Sequence, residues 1–456
     1  MPSARRSVTF FTLSARAGAM SALHVPDPPT GEEECGMLGF ATAAPGIGGK
    51  LRADAGDFVV VEEGAPPPLV EGGPVTAVRL RVRNWETNRL VHQLAKRLHV
   101  SARRVRFSGV KDKRAVTTQL LTVEAPVEQV RGVRMPDVEV LEAWPTAAHV
   151  SLGDHASNAF EIAVTRLEVP DEEARARIAA VMAEHGAVGG SPNFYGVQRF
   201  GVTRPISHVV GRHLVRGDPE AACWAYLTQV GPREAEDAAT ARRALAETRD
   251  ARAALRDLPL KLGHERTMLD HLLHHPDDPV GALARLPFNL QLMFVHAYQG
   301  LLFNLVLSER LRRGLPLDRP VEGDILVALG PGGAAGQARP VPVTASNLAK
   351  AALQVERGRA LVTGLVPGTA APVAGGEMGE VEAHVLERER LSPGDFRIPH
   401  LPELSSEGLR RELLLVGVRS ATGVADGRAS FSFALPKGCY ATTVMREIMK
   451  SPIMSY

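Results

Sequence analysis

Cysteine is scarce in this chain. There are 3 in 456 residues, Cys35, Cys223 and Cys439, far apart from one another. An odd, scattered set excludes a disulfide framework and a Cys-rich zinc site, and fits a reducing, cytoplasmic compartment. Aromatic residues make up only 5%. An excess of either charge is missing too: 53 Lys and Arg against 51 Asp and Glu leave a net charge of +2. That balance argues against a protein that coats a polyanion over its whole surface, but leaves room for a local basic face. No run of about 18 apolar residues exists, so no membrane span is expected. The longest apolar stretch, residues 290–307, is interrupted by Gln291, His296, Gln299 and Asn304 and reads as a buried helix. The glycine loop Gly330-Pro331-Gly332-Gly333 lacks the Gly-Lys-Ser/Thr ending of a P-loop, and neither a Rossmann fingerprint nor a Gly-x-Ser-x-Gly elbow occurs. No nucleotide cofactor is expected. His271, His274 and His275 with Asp277 and Asp278 come nearest to a metal set, but Pro276 breaks the helix that would align His271 and His274, and no metal is expected.

What is abundant is Gly, Pro and Arg. Gly and Pro number 43 and 33, and only 8 of the 53 basic residues are Lys. This is the skew of a GC-rich genome and is discounted as physics. The length predicts two or three domains, and no internal repeat is present. Residues 1–48 read as a leader, expected to be disordered. From Gly49 the texture changes. Asp57 to Glu62 is a β-rich run and Val75 to Val82 alternates as a strand does. Thr87 reads as an N-cap, with Leu90, Val91, Leu94, Ala95 and Leu98 following at helical spacing. Residues 117–123 form the next strand, Asp171 starts a helix ending near Gly186, and residues 319–375 look like short strands and turns.

Two clusters invite a chemical reading. Residues 89–114 hold nine basic side chains and one acid, Asp112, which lies between Lys111 and Lys113. Basic density of this kind suits phosphate contacts, through Arg97, Arg103, Lys111, Lys113 and Arg114, and equally suits a solvated helix face. Cations on either side favour an ionised Asp112, available as nucleophile or base. By residue type alone, a Lys-Asp-Lys loop reads as an exposed turn. The second cluster, residues 193–201, packs Phe194, Tyr195 and Phe200 around Gln198 and Arg199. Rings beside an Arg suit base stacking, and equally suit a loop anchored by core rings. Asn158-Ala159-Phe160 sets an amide next to a ring but is too short to be specific.

Together these segments resemble the TruD family of tRNA pseudouridine synthases. Gly109-Val110-Lys111-Asp112-Lys113-Arg114-Ala115-Val116-Thr117-Thr118-Gln119 is similar to the family's catalytic motif. Asp57 to Glu62 resembles its N-terminal strand motif, and Gly153 with Asn158-Ala159-Phe160 its Gly…Asn-x-Phe element. Residues 193–201 resemble the opening of its insertion domain, and Ala297-Tyr298-Gln299 with Phe303-Asn304 a helix inside it. Leu435-Pro436-Lys437-Gly438, with Tyr440-Ala441-Thr442 and Arg446-Glu447, resembles its C-terminal motif. Arg52 stands where the family usually has Lys, Tyr195 where it has Phe, and residues 149–157 carry no Lys or Arg.

The resemblance implies an α/β fold of α+β type, with a mixed, largely antiparallel central sheet and an inserted α/β domain. The implied division is 49–191 and 391–456 for the catalytic domain and 192–390 for the insertion. It implies isomerisation of a tRNA uridine, at position 13 in bacterial members, without cofactor or metal. By the same resemblance Asp112 is catalytic, Phe58, Asn158 and Phe160 hold the target uridine, and Lys111, Lys113, Arg114, Arg97, Arg103 and Arg199 meet RNA. tRNA is the expected partner, and no oligomer is implied. Two alternatives stay open: an RNA-binding or tRNA-folding chaperone on the same scaffold, and a synthase acting on mRNA or rRNA.

Overall fold

In the segment Phe58–Glu63 every second residue turns inward. Phe58, Val60 and Glu62 are buried, while Val61 and Glu63 are exposed. The period of two and the β-branched valines make it a strand. It lies in a computed structural model that describes residues 22–27, 30–111, 113–329, 339–416 and 421–456. The chain divides into two compact units. The first holds Ala43–Ser191 and Leu415–Tyr456, and the second holds Pro192–Leu414 with an N-terminal piece ending at Thr42.

The first unit is built on one sheet. Its strands in chain order are β1 (Lys50–Leu51), β2 (Phe58–Glu63), β3 (Val75–Arg83), β4 (Val105–Phe107), β5 (Val116–Val123), β6 (Val138–Thr146), β7 (Ser157–Thr165), β8 (Ala421–Ala425) and β9 (Arg428–Pro436). The main path runs β8-β9-β7-β2-β5-β3-β6, with β1 added to β7 and β4 to β5. The β2–β5 pair is parallel, and every other pairing is antiparallel. The expected mixed, largely antiparallel sheet is what the chain forms.

Helix α1 (Thr87–Arg97) covers part of the sheet. Leu90, Leu94 and Leu98 pack with Val78, Leu80, Val82, Leu121 and Val123 in one cluster. Removal of such apolar surface from water is the main stabilising contribution. The cap of α1 differs from expectation. Glu86, not Thr87, is the N-cap: its carboxylate accepts from the backbone N–H of Asn88 and of Arg89, both at 2.8 Å. A carboxylate reaches both orphan donors and also suits the positive end of the helix. Thr87 is thereby left with its hydroxyl free for another contact.

The second unit is centred on a 25-residue helix, Phe288–Arg312. It is long and apolar enough to cross a membrane, yet most of it is buried inside the protein. Gly211, on the helix Ser207–Val215, lets that helix come close: a Cβ there would stand 2.0 Å from the Phe294 carbonyl oxygen. A four-stranded antiparallel sheet of Val341–Pro342, Ile325–Ala328, Ala360–Val366 and Leu409–Glu412 accompanies the helices. The helices Leu348–Glu356 and Gly376–Arg388 fall where only strands and turns were expected, or at their margin. The Gly330–Gly336 loop lies outside the described residues.

The units depart from the expected boundaries in two places. Residues 391–414 pack into the second unit, because Phe396, Leu401 and Leu404 are buried and Leu409–Glu412 extends its sheet. The expected leader is also not all leader. Cys35, Met37 and Phe40 are buried, Asn304 Nδ2 donates to the Cys35 carbonyl at 2.8 Å, and Ser308 Oγ donates to that of Gly36 at 2.8 Å. Residues 1–21 lie outside the described residues.

Candidate active site

One face of the central sheet carries an aromatic row that ends in a polar one. In the β2–β7 register Phe58 faces Ile162, Val60 faces Phe160, and Glu62 faces Asn158. In the β9–β7 register Phe433 faces Phe160 and Leu435 faces Asn158. Residues directly opposite share a face and meet. Phe160 thus lies between Phe58, edge-on at 6.0 Å, and Phe433, tilted at 5.7 Å. The Arg52 guanidinium covers the Phe58 ring at 4.0 Å. Each aromatic pair contributes about 0.5–1.5 kcal/mol beyond the area it buries, and all three rings of the row are buried, so the row is packed core along one face.

The polar end of the face holds a loop. The hairpin of β4 and β5 is joined by residues 108–115, the stretch that contains Asp112. Asp112 itself lies outside the described residues, but its flanks are described on both sides. Ser108 Oγ donates to Glu62 Oε1 at 2.5 Å, and the Ser108 carbonyl accepts from Gly153 N at 2.7 Å. Lys111 N donates to Thr87 Oγ1 at 2.9 Å, using the hydroxyl that capping left free. Lys111 Nζ sits 2.8 Å from Glu62 Oε2 and donates to Asn158 Oδ1 at 2.9 Å. After the acid, the Ala115 carbonyl accepts from Asn84 N at 3.0 Å, and Ala115 is buried. The described chain on either side of Asp112 is tied at Ser108, Lys111 and Ala115.

Further groups border the loop. His155 Nδ1 lies 3.1 Å from the Ser108 carbonyl, so Nδ1 carries the proton and Nε2 is the open ring nitrogen. Burial first, and the Lys111 charge next, push the His155 pKa below its ordinary value, favouring neutral imidazole. Lys437 Nζ donates to the Gly153 carbonyl at 2.6 Å. A Cβ on Gly109 would stand 2.8 Å from His155 Cε1, which explains glycine at that position.

The expected site residues that are described divide into four groups. Phe58, Asn158 and Phe160 come together on one face, beside the loop. Lys113, Arg114, Arg97 and Arg103 are exposed. Among the described residues neither Arg97 nor Arg103 pairs with a carboxylate, so both are available to solvent or a polyanion. Lys111 is a correction. Its side chain is 4% exposed and spent on Glu62 and Asn158, so it is not placed to meet phosphate: a buried ammonium must keep its carboxylate.

Arg199 belongs to the second unit, where it is half-buried with its guanidinium 5.2 Å from the Tyr195 ring. The rings around it, Phe194, Tyr195 and Phe200, are core residues. Their segment is held by Asn304, whose Oδ1 accepts from Tyr195 N at 2.8 Å. The stacking alternative for residues 193–201 is therefore not what the structure places there. His271, set aside as a metal ligand, bonds Asp278 at 2.9 Å, and Asp278 in turn caps the helix Pro279–Ala284.

Sequence reasoning passed over Glu62, Ser108 and Thr87. For Glu62 a signal exists: it follows Phe58 and Val60 at the inward positions of an alternating strand, where a carboxylate needs a partner.

Comparison with known proteins identifies the family. A family model described as tRNA pseudouridine synthase D matches residues 34–448. A relative from Methanococcoides burtonii, named as a probable tRNA pseudouridine synthase D, is 39% identical over 92% of this chain and 98% of its own length. One of the same name from Halobacterium salinarum is 41% identical over 92% and 98%. The crystal structure of the Methanosarcina mazei tRNA pseudouridine synthase D superposes with a TM-score of 0.80 at 36% identity, covering 95% of this chain and all of that one. The family model and these relatives match nearly the whole length: the chain belongs to the tRNA pseudouridine synthase D family.

Proposed function

We propose that this protein isomerises a uridine in tRNA to pseudouridine, with the Asp112 carboxylate as the attacking group or base, and that its target is the uridine at position 13. The reaction breaks the bond from ribose C1′ to N1 of the base and joins C1′ to C5. The C5 proton leaves and N1 gains one, so the balance closes within the substrate. Such chemistry needs a carboxylate at the sugar or base, a ring to hold the extruded uracil and an amide to fix its edge.

The observation that carries this reading is the anchored 108–115 loop at the polar end of the Phe58–Phe160–Phe433 row. The described residues before Asp112, Ser108 and Lys111, lie at the edge of an aromatic row that also carries the Asn158 amide, and this supports the reading. Lys113 and Arg114 are exposed beside it, where their charge favours ionised Asp112 and nearby phosphates. A synthase is favoured over a chaperone because RNA binding alone does not call for a turn fixed on both sides of a carboxylate.

The test is Asp112→Asn, assayed by tritium release from tRNA carrying 5-tritiated uridine. Turnover is expected to vanish while tRNA binding and the melting temperature stay as in the parent. Normal turnover in this variant would remove Asp112 from the chemistry. Mapping pseudouridine in RNA from cells lacking the protein checks the substrate. Loss at tRNA position 13 supports the reading, and loss confined to mRNA or rRNA overturns it.

A further inference from the structure

We infer that Glu62 is a positioning residue of the reaction, acting through Lys111 and Ser108 on the turn that carries Asp112. The inference rests on the role proposed for Asp112, and assigns to a strand residue the work of setting that turn.

The geometry points to it in three steps. First, the two carboxylate oxygens of Glu62 are divided between the two described ends of the turn before Asp112. Oε1 accepts from Ser108 Oγ at 2.5 Å and from Leu120 N at 3.4 Å, and Oε2 pairs with Lys111 Nζ at 2.8 Å. Secondly, the group is nearly dry: the side chains of Lys111 and Glu62 are 4% and 6% exposed. In such surroundings the pair has few alternative partners, so its geometry is held firmly. Thirdly, Lys111 is covalently next to Asp112 and its backbone N–H is fixed by Thr87 at 2.9 Å. Main chain and side chain of Lys111, the residue before Asp112, are thus both pinned. Asn158, on the substrate side, shares the same ammonium at 2.9 Å. The carboxylate therefore orders the turn and the amide together.

Ion pairing for stability alone would predict a different outcome, and variants separate the two. Glu62→Gln keeps the shape and still accepts from Ser108, but turns an N–H₂ toward the Lys111 ammonium. The double variant Glu62→Gln/Lys111→Met removes both charges at similar volume, a change that usually recovers most of the stability lost by breaking a buried pair.

The experiment measures the single-turnover rate at saturating tRNA and the tRNA Kd, with folding checked by circular dichroism below each variant's melting temperature. Both variants are expected to lose about 10²-fold in rate, the loss that roughly 1 Å of misplacement produces, with Kd unchanged. The double variant is expected to melt near the parent temperature. A single-turnover rate within threefold of the parent in either variant overturns the inference. So does a Kd that weakens as much as the rate falls, since the pair would then shape the RNA surface and not the turn. Asp112→Asn is run alongside. If it still turns over, the catalytic assignment fails. If it is dead while Glu62→Gln keeps its rate, only the positioning role fails.

Discussion

Two buried ion pairs, one in each compact unit, look alike by burial and differ in what they hold. Lys111 and Glu62 are 4% and 6% exposed, and Arg310 and Asp324 are both 0%. Arg310 makes a two-pronged contact, Nη1 to Asp324 Oδ1 at 2.6 Å and Nη2 to Oδ2 at 3.0 Å, and also donates to the Pro316 carbonyl. Its planar fork is filled by groups of the scaffold itself, and fixes where the long helix meets the turn before Ile325–Ala328. Lys111 carries a compact charge on a flexible stem, held between a strand carboxylate and an amide on the aromatic face. Burial measures how costly each pair is to break. Only the neighbouring residues show whether breaking it costs rate as well as stability.

The sharpest way to test that contrast is Arg310→Leu. Asp324 keeps the Val321 N–H as a partner at 2.8 Å but loses its counter-charge, and removal of one partner from a buried pair costs about 3–5 kcal/mol. The expected result is a lower urea midpoint, with the single-turnover rate of the remaining folded protein close to the parent. Glu62→Gln also strands a buried charge and should lower the urea midpoint too, but it should lower the single-turnover rate as well. If Arg310→Leu lowered the rate as steeply as Glu62→Gln, the distinction between the two pairs would be lost.

How much of this was legible in the sequence follows the same division. Alternation in β2 and the helical spacing of Leu90, Leu94 and Leu98 mark elements whose pattern is local, and both formed as expected. Phe58, Asn158 and Phe160 could be named because motif resemblance carries them, although only the register shows that they meet. Lys111 was misread because a count of charges treats each Lys as exposed, whereas its partners Glu62 and Asn158 are 49 and 47 residues away in the chain. The rings of residues 193–201 were ambiguous for the same reason: what buries them is Asn304 and the long helix, far along the chain. The return to the first unit was misplaced because residues 391–414 have no local mark of which core they join.

Histidines offer a second, smaller comparison. His208 in the second unit is buried, and burial, then the Arg212 charge, lower its pKa from 6.5 to about 4. Above pH 6.5 neither the folded nor the unfolded state binds this proton, so the stability it protects is fully present. As pH falls from 6.5 to 4 the unfolded chain takes up a proton that the folded one refuses, and stability declines by up to about 3 kcal/mol. His155 beside the loop shifts in the same direction but is only partly buried, so its share should be smaller. Urea midpoints between pH 7 and 4.5 check this. His208→Gln should flatten the decline more than His155→Gln, and equal slopes in parent and His208→Gln would contradict the assignment.

The weakest effect should come from the cations that are not buried at all. Arg97 and Arg103 stand exposed on and just after α1, and among the described residues neither has a carboxylate partner. Reversing both to Glu should leave the melting temperature and the single-turnover rate at saturating tRNA unchanged, since among the described residues no carboxylate leans on them. What should change is affinity and its salt dependence. Each lost phosphate contact lowers the slope of log Kd against log salt by about 1, so the double reversal should flatten it by about 2. The loss of binding should be greatest at low salt and fade as screening takes over. Unchanged affinity across the salt series would mean that tRNA approaches by another face. A fall in the saturated rate would mean that the exposed cations, like Lys111, are tied to the turn.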